Sequence, residues 1–263
     1  MLTDVHCHLT SKDFSRDIDK VVERAKNVMI VSSGVNLEDN KRVLELAKRF
    51  KNVKAGLGLY PVDALKLDER GLEENLEFIK KNKDKLAYVG EAGLDYKDKG
   101  HQRPPYQPCA TTMRTEQEDR ERQKGNFLKI IGLAERIKKP LLVHSRKAER
   151  ECFELVESSD LKRVIFHCFT GKLKLAKKIA NKGWSFSIPC SVVRNPGFQR
   201  LVKEIDISQL LTETDAPYMS PFGGRNEPCF VAESVVKIAE LKSLEMTEVE
   251  NILEMNFQKM LLL

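Results

Sequence analysis

Eight times along this chain a short run of apolar and β-branched residues gives way to a segment whose apolar residues recur at helical spacing. The runs lie at 2–9, 28–35, 53–60, 86–94, 141–145, 163–169, 184–192 and 210–215. The helical segments lie at 17–27, 37–50, 69–82, 116–137, 148–158, 172–182 and 197–204, with two more near 230–242 and 247–262. Strand followed by helix, repeated in this way, implies parallel β-structure with right-handed crossovers. Eight repeats predict an α/β fold, a closed (β/α)8 TIM barrel, and 263 residues fit one such domain over 1–263, since about 250 suffice. No glycine-rich phosphate loop follows an early strand, which excludes dinucleotide-binding and P-loop folds. No linker or internal repeat divides the chain.

Four of the five histidines fall in or at the end of a predicted strand: His6, His8, His144 and His167, with His101 elsewhere. Asp4, His6 and His8 are spaced by two, so in a strand their side chains share one face. The fourth strand carries Glu91 in G-E-A-G-L-D-Y. The fifth ends in L-L-V-H-S at His144, the sixth in I-F-H-C-F-T-G at His167, and the eighth in T-E-T-D-A-P-Y at Asp215. In a barrel the C-terminal strand ends meet at one mouth, where the active site is built. Five strand ends bearing ligand-type side chains are therefore expected to form one metal site, not five separately hydrogen-bonded rim positions.

Imidazoles mixed with two carboxylates suit zinc, manganese, iron and similar ions better than an oxygen-only magnesium site. Six ligands exceed the need of one tetrahedral ion, so two divalent ions sharing Glu91 are expected. Such a pair lowers the pKa of water and stabilises charge on an attacked phosphoryl or acyl centre. Cys7 lies between His6 and His8, and Cys168 follows His167; both are expected to face away from the site into the core.

The net charge of +6 suits a polyanionic substrate, but the basic residues form no single tract, so charge alone leaves the partner open. The six cysteines include no C-x-x-C pair, and no apolar run approaches the ~20 residues that cross a bilayer. The first residues lack a signal-peptide layout, so a reduced, cytoplasmic protein without a membrane partner is expected, monomeric by default. Residues 97–115, with three prolines and little apolar content, break the alternation after the fourth strand. Two readings stand for them: a lid or substrate-contacting loop at the mouth, or an insertion without fixed structure.

The motifs T-D-V-H-C-H-L, V-G-E-A-G-L-D-Y, V-H-S-R-K-A, F-H-C-F-T-G, T-E-T-D-A-P-Y and R-N-E-P occur in that order over nearly the whole chain. Together they resemble the TatD family of metal-dependent hydrolases. The resemblance implies a barrel of the amidohydrolase-like type and a deoxyribonuclease acting on DNA ends with divalent metal (zinc, manganese, magnesium or a similar ion). Carried over by position, it implies that His6, His8 and Asp215 bind one ion with Glu91, and that Glu91, His144 and His167 bind the other. Asp215 would also position or deprotonate the attacking water.

The resemblance further implies that the loop around Arg225, Asn226, Glu227 and Pro228 helps shape the site. The residues themselves also fit a capped turn, with Pro228 opening the following helix, or a phosphate contact through Arg225. Two departures stand out. Many family members carry a histidine in G-x-H-P where this chain has Gly58-Leu59-Tyr60-Pro61, which leaves a Tyr60 hydroxyl to meet a phosphate. The 97–115 insertion is the second, and it alters the mouth.

A phosphodiesterase acting on DNA ends is the first functional reading. The second is a hydrolase of the same barrel with an ester or amide substrate, such as an aminoacyl ester or a cyclic amide. Dihydroorotase-like barrels often bridge their metals with a carboxylated lysine, so Glu91 in the matching place favours the first reading. Barrels of the polymerase-and-histidinol-phosphatase type also open with H-x-H, but they use more histidines than this chain offers. A non-enzymatic metal-binding role leaves the convergent ligand set unexplained.

Overall fold

The computed structural model describes residues 1–97 and 115–262. Its strands are β1 (Leu2–Cys7), β2 (Val28–Ser33), β3 (Val53–Leu57), β4 (Leu86–Gly93), β5 (Leu141–His144), β6 (Val164–His167), β7 (Ser185–Pro189) and β8 (Leu210–Glu213). They form one eight-stranded sheet in sequence order, each neighbour pair parallel. The first and last strands meet at a seam. Asp215 N–H donates to the His6 carbonyl at 2.9 Å, His8 N–H to the Ala216 carbonyl at 2.7 Å, and the Thr212 hydroxyl to the Thr3 carbonyl at 2.6 Å. The predicted barrel is the observed one.

The helices are α1 (Ile18–Arg24), α2 (Leu37–Arg49), α3 (Pro61–Ala64), α4 (Glu69–Lys81), α5 (Glu116–Ile137), α6 (Glu149–Glu157), α7 (Leu173–Asn181), α8 (Pro196–Glu204), α9 (Val231–Lys242) and α10 (Met246–Phe257). Their apolar faces pack on the outside of the sheet, as with Phe127, Ile130 and Ala134 of α5 against β4 residues Val89 and Ala92. α5 starts where a capping box directs it: Thr115 Oγ1 accepts the Glu118 N–H, and the Glu118 carboxylate accepts the Thr115 N–H. α3 is new relative to the sequence pattern, because four residues are too few to show a period; Pro61 opens it. The last predicted helix divides into α10 and a wider terminal turn, Gln258–Leu262.

Inside the barrel, early-strand residues Val5, Val31, Leu142, Ile165 and Leu211 pack against Phe257, Met260 and Leu261. This apolar plug closes the N-terminal end and leaves the C-terminal end as the only polar one among the described strands. The ladders stop one to three residues sooner than the apolar pattern suggests. β1 ends at Cys7 and β8 at Glu213, so His8 and Asp215 stand just beyond their strands. Asp215 adopts φ +56°, which a short polar side chain tolerates and which turns the chain out at the mouth. No described helix is long and apolar enough to cross a membrane. The cysteines described, Cys7, Cys152, Cys168, Cys190 and Cys229, are free. The insertion and His101 lie outside the described residues, apart from the flanking Lys97 and Thr115.

Candidate metal centre

Glu91 is the point on which the mouth converges. Its two carboxylate oxygens face opposite sides. Oε2 lies 3.6 Å from His6 Nε2 and 3.5 Å from His8 Nε2, while Oε1 lies 2.6 Å from His144 Nδ1 and 3.2 Å from His167 Nε2. Asp215 Oδ1 completes the first side, 3.4 Å from His6 Nε2 and 3.5 Å from His8 Nε2. Donor atoms of His6, His8 and Glu91, of His6, His167 and Asp215, and of Glu91, His144 and His167 each gather within 4.8 Å.

Glycine makes this convergence possible. A Cβ on Gly58 would stand 2.3 Å from the Gly90 carbonyl carbon and 2.4 Å from Glu91 N. Any side chain there would push β4, and Glu91 with it, away from β3.

His6 tests whether the set fits a metal. The Tyr88 hydroxyl donates to the Val5 carbonyl at 3.0 Å, so its oxygen accepts from the Ser33 hydroxyl, with which it makes a short hydrogen bond. The Ser33 oxygen is then left to accept from His6 Nδ1–H at 2.8 Å. That order fixes the tautomer and aims the Nε2 lone pair at Glu91 and Asp215. Nε2 is buried and has no hydrogen-bond partner among the described residues. Leaving such an atom unsatisfied costs about 1–3 kcal/mol. Two ligands of one tetrahedral zinc, each at about 2.0–2.2 Å, stand roughly 3.4 Å apart, and the gaps around His6 match that separation. The residues fit a cation.

The charges agree. Burial alone would raise the Glu91 carboxyl, but His144 and His167 against it outweigh burial and hold it well below the usual range. Asp215 is held below its usual range in the same way, by His6 and His8 against burial. Burial and the neighbouring His167 keep His6 below its ordinary value, in the neutral form a ligand needs. Burial opposes protonation of the other three imidazoles too, yet Asp215 and Glu91 raise His8 to about 9, and carboxylates likewise raise His144 and His167. The cluster opens into a cavity of about 820 Å³, whose lining includes Lys12, Arg42 and Arg146.

The TatD related DNase family model matches residues 3–262. The chain belongs to the TatD family. It is 36% identical to a metal-dependent hydrolase of Methanocaldococcus jannaschii, covering 96% of this chain and 94% of the relative. It is 32% identical to the human deoxyribonuclease TATDN3, covering 98% and 94%. In structure it resembles the Escherichia coli TatD homologue YJJV, with a TM-score of 0.86 at 25% identity, covering 100% of this chain and 98% of the other. The protein is thus a metal-dependent hydrolase of the TatD family, and its mouth holds a His, Glu and Asp cluster able to take metal.

Behind this TatD-family cluster stands a layer that the sequence pattern did not single out. Asp95 Oδ2 accepts from the Tyr60 hydroxyl at 2.5 Å and lies 3.2 Å from His144 Nε2. Glu213 Oε2 lies 3.5 Å from His167 Nδ1, while the Ser187 hydroxyl and the Cys168 N–H hold that carboxylate in place. His144 thus offers one nitrogen to the cluster and anchors the other, while the buried His167 Nδ1 faces the Glu213 carboxylate without a hydrogen bond among the described residues. Asp95 sits within G-L-D-Y, and Glu213 precedes Asp215 by two, a same-face spacing that was available as a signal. Ser33 and Tyr88 gave none. Asp4 shares the face of His6 but lies deeper. Its carboxylate accepts the Thr214 N–H and hydroxyl and the His6 N–H, tying the end of β8 to β1.

Several expected contacts fall elsewhere. Tyr60 lines the cavity, but its hydroxyl is committed to Asp95. Arg225 does not line the cavity. Its guanidinium makes two hydrogen bonds to Asp17 and one to Glu227, because those carboxylates flank the loop. Asn226 is fully buried, and its amide donates to the Thr214 and Tyr218 carbonyls, so it shapes the loop after β8 without reaching the cavity. Cys7 packs in the core with Leu9 and Phe14, as expected. Cys168 does not face away: φ +46° turns it out of β6, and it lines the cavity.

Proposed function

We propose that this chain is a deoxyribonuclease-type phosphodiesterase acting on DNA ends, with two divalent ions at the mouth. The observation that carries the reading is the division of Glu91 between two pairs of imidazoles. His6, His8, Glu91 and Asp215 would hold one ion, and Glu91, His144 and His167 the other; zinc, manganese or magnesium are the candidates. When bound, such ions supply Lewis acidity, lowering the pKa of water and stabilising charge at a phosphoryl centre.

The protein supplies the rest. Asp215 is the more exposed carboxylate of the set, with 15% of its side chain accessible against 4% for Glu91. It faces the cavity in ionised form and would take the proton of an attacking water. Glu91 stays enclosed and would be shared between the two ions. Lys12, Arg42 and Arg146 would draw a phosphate strand to the lining, so binding should weaken as salt rises. The name of the human relative supports DNA as substrate. Between the two imidazole pairs, where barrels acting on cyclic amides often use a carboxylated lysine, this chain places the Glu91 carboxylate.

A panel of metals against substrates tests the reading. Chelator should abolish hydrolysis of DNA ends, added metal should restore it, and elemental analysis should give two ions per chain. Metal-loaded protein that cleaves an aminoacyl ester and leaves every DNA end intact would refute it.

A further inference from the structure

Large apolar side chains that stay outside a fold are common, but one lies in an unusual place here. Among the described residues, Tyr218 is the one exposed aromatic side chain that lines the metal cavity, with 57% of its surface accessible. Its ring centroid lies 6.0 Å from that of His8, at an interplanar angle of 64°. The backbone beneath it is firmly held. Tyr218 N–H donates to the Asp215 carbonyl at 2.9 Å, and the buried Asn226 amide donates to the Tyr218 carbonyl at 2.7 Å. Asn226 N–H also donates to the Pro217 carbonyl at 3.0 Å. A wet ring on a firmly held backbone presents a flat apolar face beside the cluster.

We propose that Tyr218 is a specificity-determining base platform: the heterocycle of the terminal nucleotide stacks on its ring while the adjoining phosphodiester reaches Glu91 and Asp215. This rests on the nuclease reading and adds the feature of the substrate that the site recognises. Phosphates alone cannot distinguish a nucleic-acid end from any other phosphodiester. Every base, however, has a π-face, and aromatic stacking is tolerant of sequence. Lys12 and Arg146 in the same cavity lining complete the pairing of an aromatic face with cationic side chains that single-strand sites use. The Tyr218 hydroxyl has no part in this role.

The test uses single-stranded oligonucleotides whose terminal residue, at one end or the other, is either natural or abasic. Binding is measured by fluorescence anisotropy in chelator, where no strand is cut, and hydrolysis is measured separately with metal. Wild type should bind and process the natural end roughly 5- to 150-fold better than the abasic one. Y218A should lose that preference, through KM far more than kcat, with its metal content unchanged. Y218F and Y218W should keep it. F222A should also keep it, because Phe222 is exposed on the same loop but packs on Phe230, outside the cavity lining.

A Y218F that behaves as Y218A, or an F222A that loses as much, overturns the platform. So does a wild type that binds and hydrolyses natural and abasic ends alike, and that result leaves the nuclease reading intact. A wild type that cleaves an ester or amide but no strand overturns the nuclease reading itself.

Discussion

At the floor of the barrel Val5, Leu142, Ile165 and Leu211 are sealed against Phe257, and one or two residues further along the same strands His6, His144, His167 and Glu213 take their place at the mouth. His6 and Glu213 are as thoroughly buried as Val5 and Leu211. The two ends therefore differ in chemistry and not in depth. Apolar burial at the floor stabilises the fold directly, at about 25 cal/mol per Å². Buried charges at the mouth repay their desolvation mainly through one another, so they add little to stability, and removing one leaves the others uncompensated. The floor holds the barrel together, and the mouth depends on it.

Substitutions at the two ends should separate these roles. The largest effect is expected from Glu91→Gln, which removes the charge facing all four imidazoles. Bound metal and hydrolysis should both fall to background, and the chelated protein should melt lower than wild type because the buried imidazoles lose their counter-charge; retained metal would defeat the bridging assignment. Phe257→Ala should do the reverse, costing about 3–5 kcal/mol in urea unfolding with metal per folded chain unchanged. If that variant loses metal without losing stability, the two ends are not independent.

Glu213→Gln acts one layer back, and should weaken metal affinity or activity by about 10–100-fold. A milder effect should come from pH. His8 is raised to about 9, and His144 and His167 are raised too, so these rings must lose protons to bind metal. Apparent affinity, followed by competition with a chelating dye, should therefore climb as pH rises toward that value, and a flat profile would contradict those proton positions. The smallest effect is expected from Arg225→Ala, because its partner Asp17 is partly exposed and the buried Glu227 keeps two hydrogen bonds from Arg24. A slight fall in melting temperature that added salt removes would show that this network trims the loop without touching the cluster.

The sequence carried the barrel because eight short apolar runs alternating with helical segments admit few other folds. It also carried His6, His8, Glu91, His144, His167 and Asp215, because ligand-type residues recur at the same end of five strands. It did not carry Asp95 or Glu213, because a single carboxylate in a motif does not say which ring nitrogen it meets. The role of Arg225 is ambiguous in the sequence for the same reason. Guanidinium suits phosphate and carboxylate equally, and only the fold brings Asp17, more than two hundred positions away, to claim it. Cys168 followed the strand alternation on paper, but β6 ends at His167 and the parity rule ends with it.

The seam between β1 and β8 has a consequence for how the protein is made. Its contacts join residues as far apart as Thr3 and Thr212, a separation of 209 positions, and such closure is slow to form. As the ribosome delivers the chain, His6 and His8 emerge early and wait for Asp215, which arrives after the strands carrying Glu91, His144 and His167. A nascent chain held before that point carries five of the six proposed ligands and cannot close the ring that aligns them. Assembly order alone should then keep the proposed DNA hydrolase inactive until its last strand is delivered.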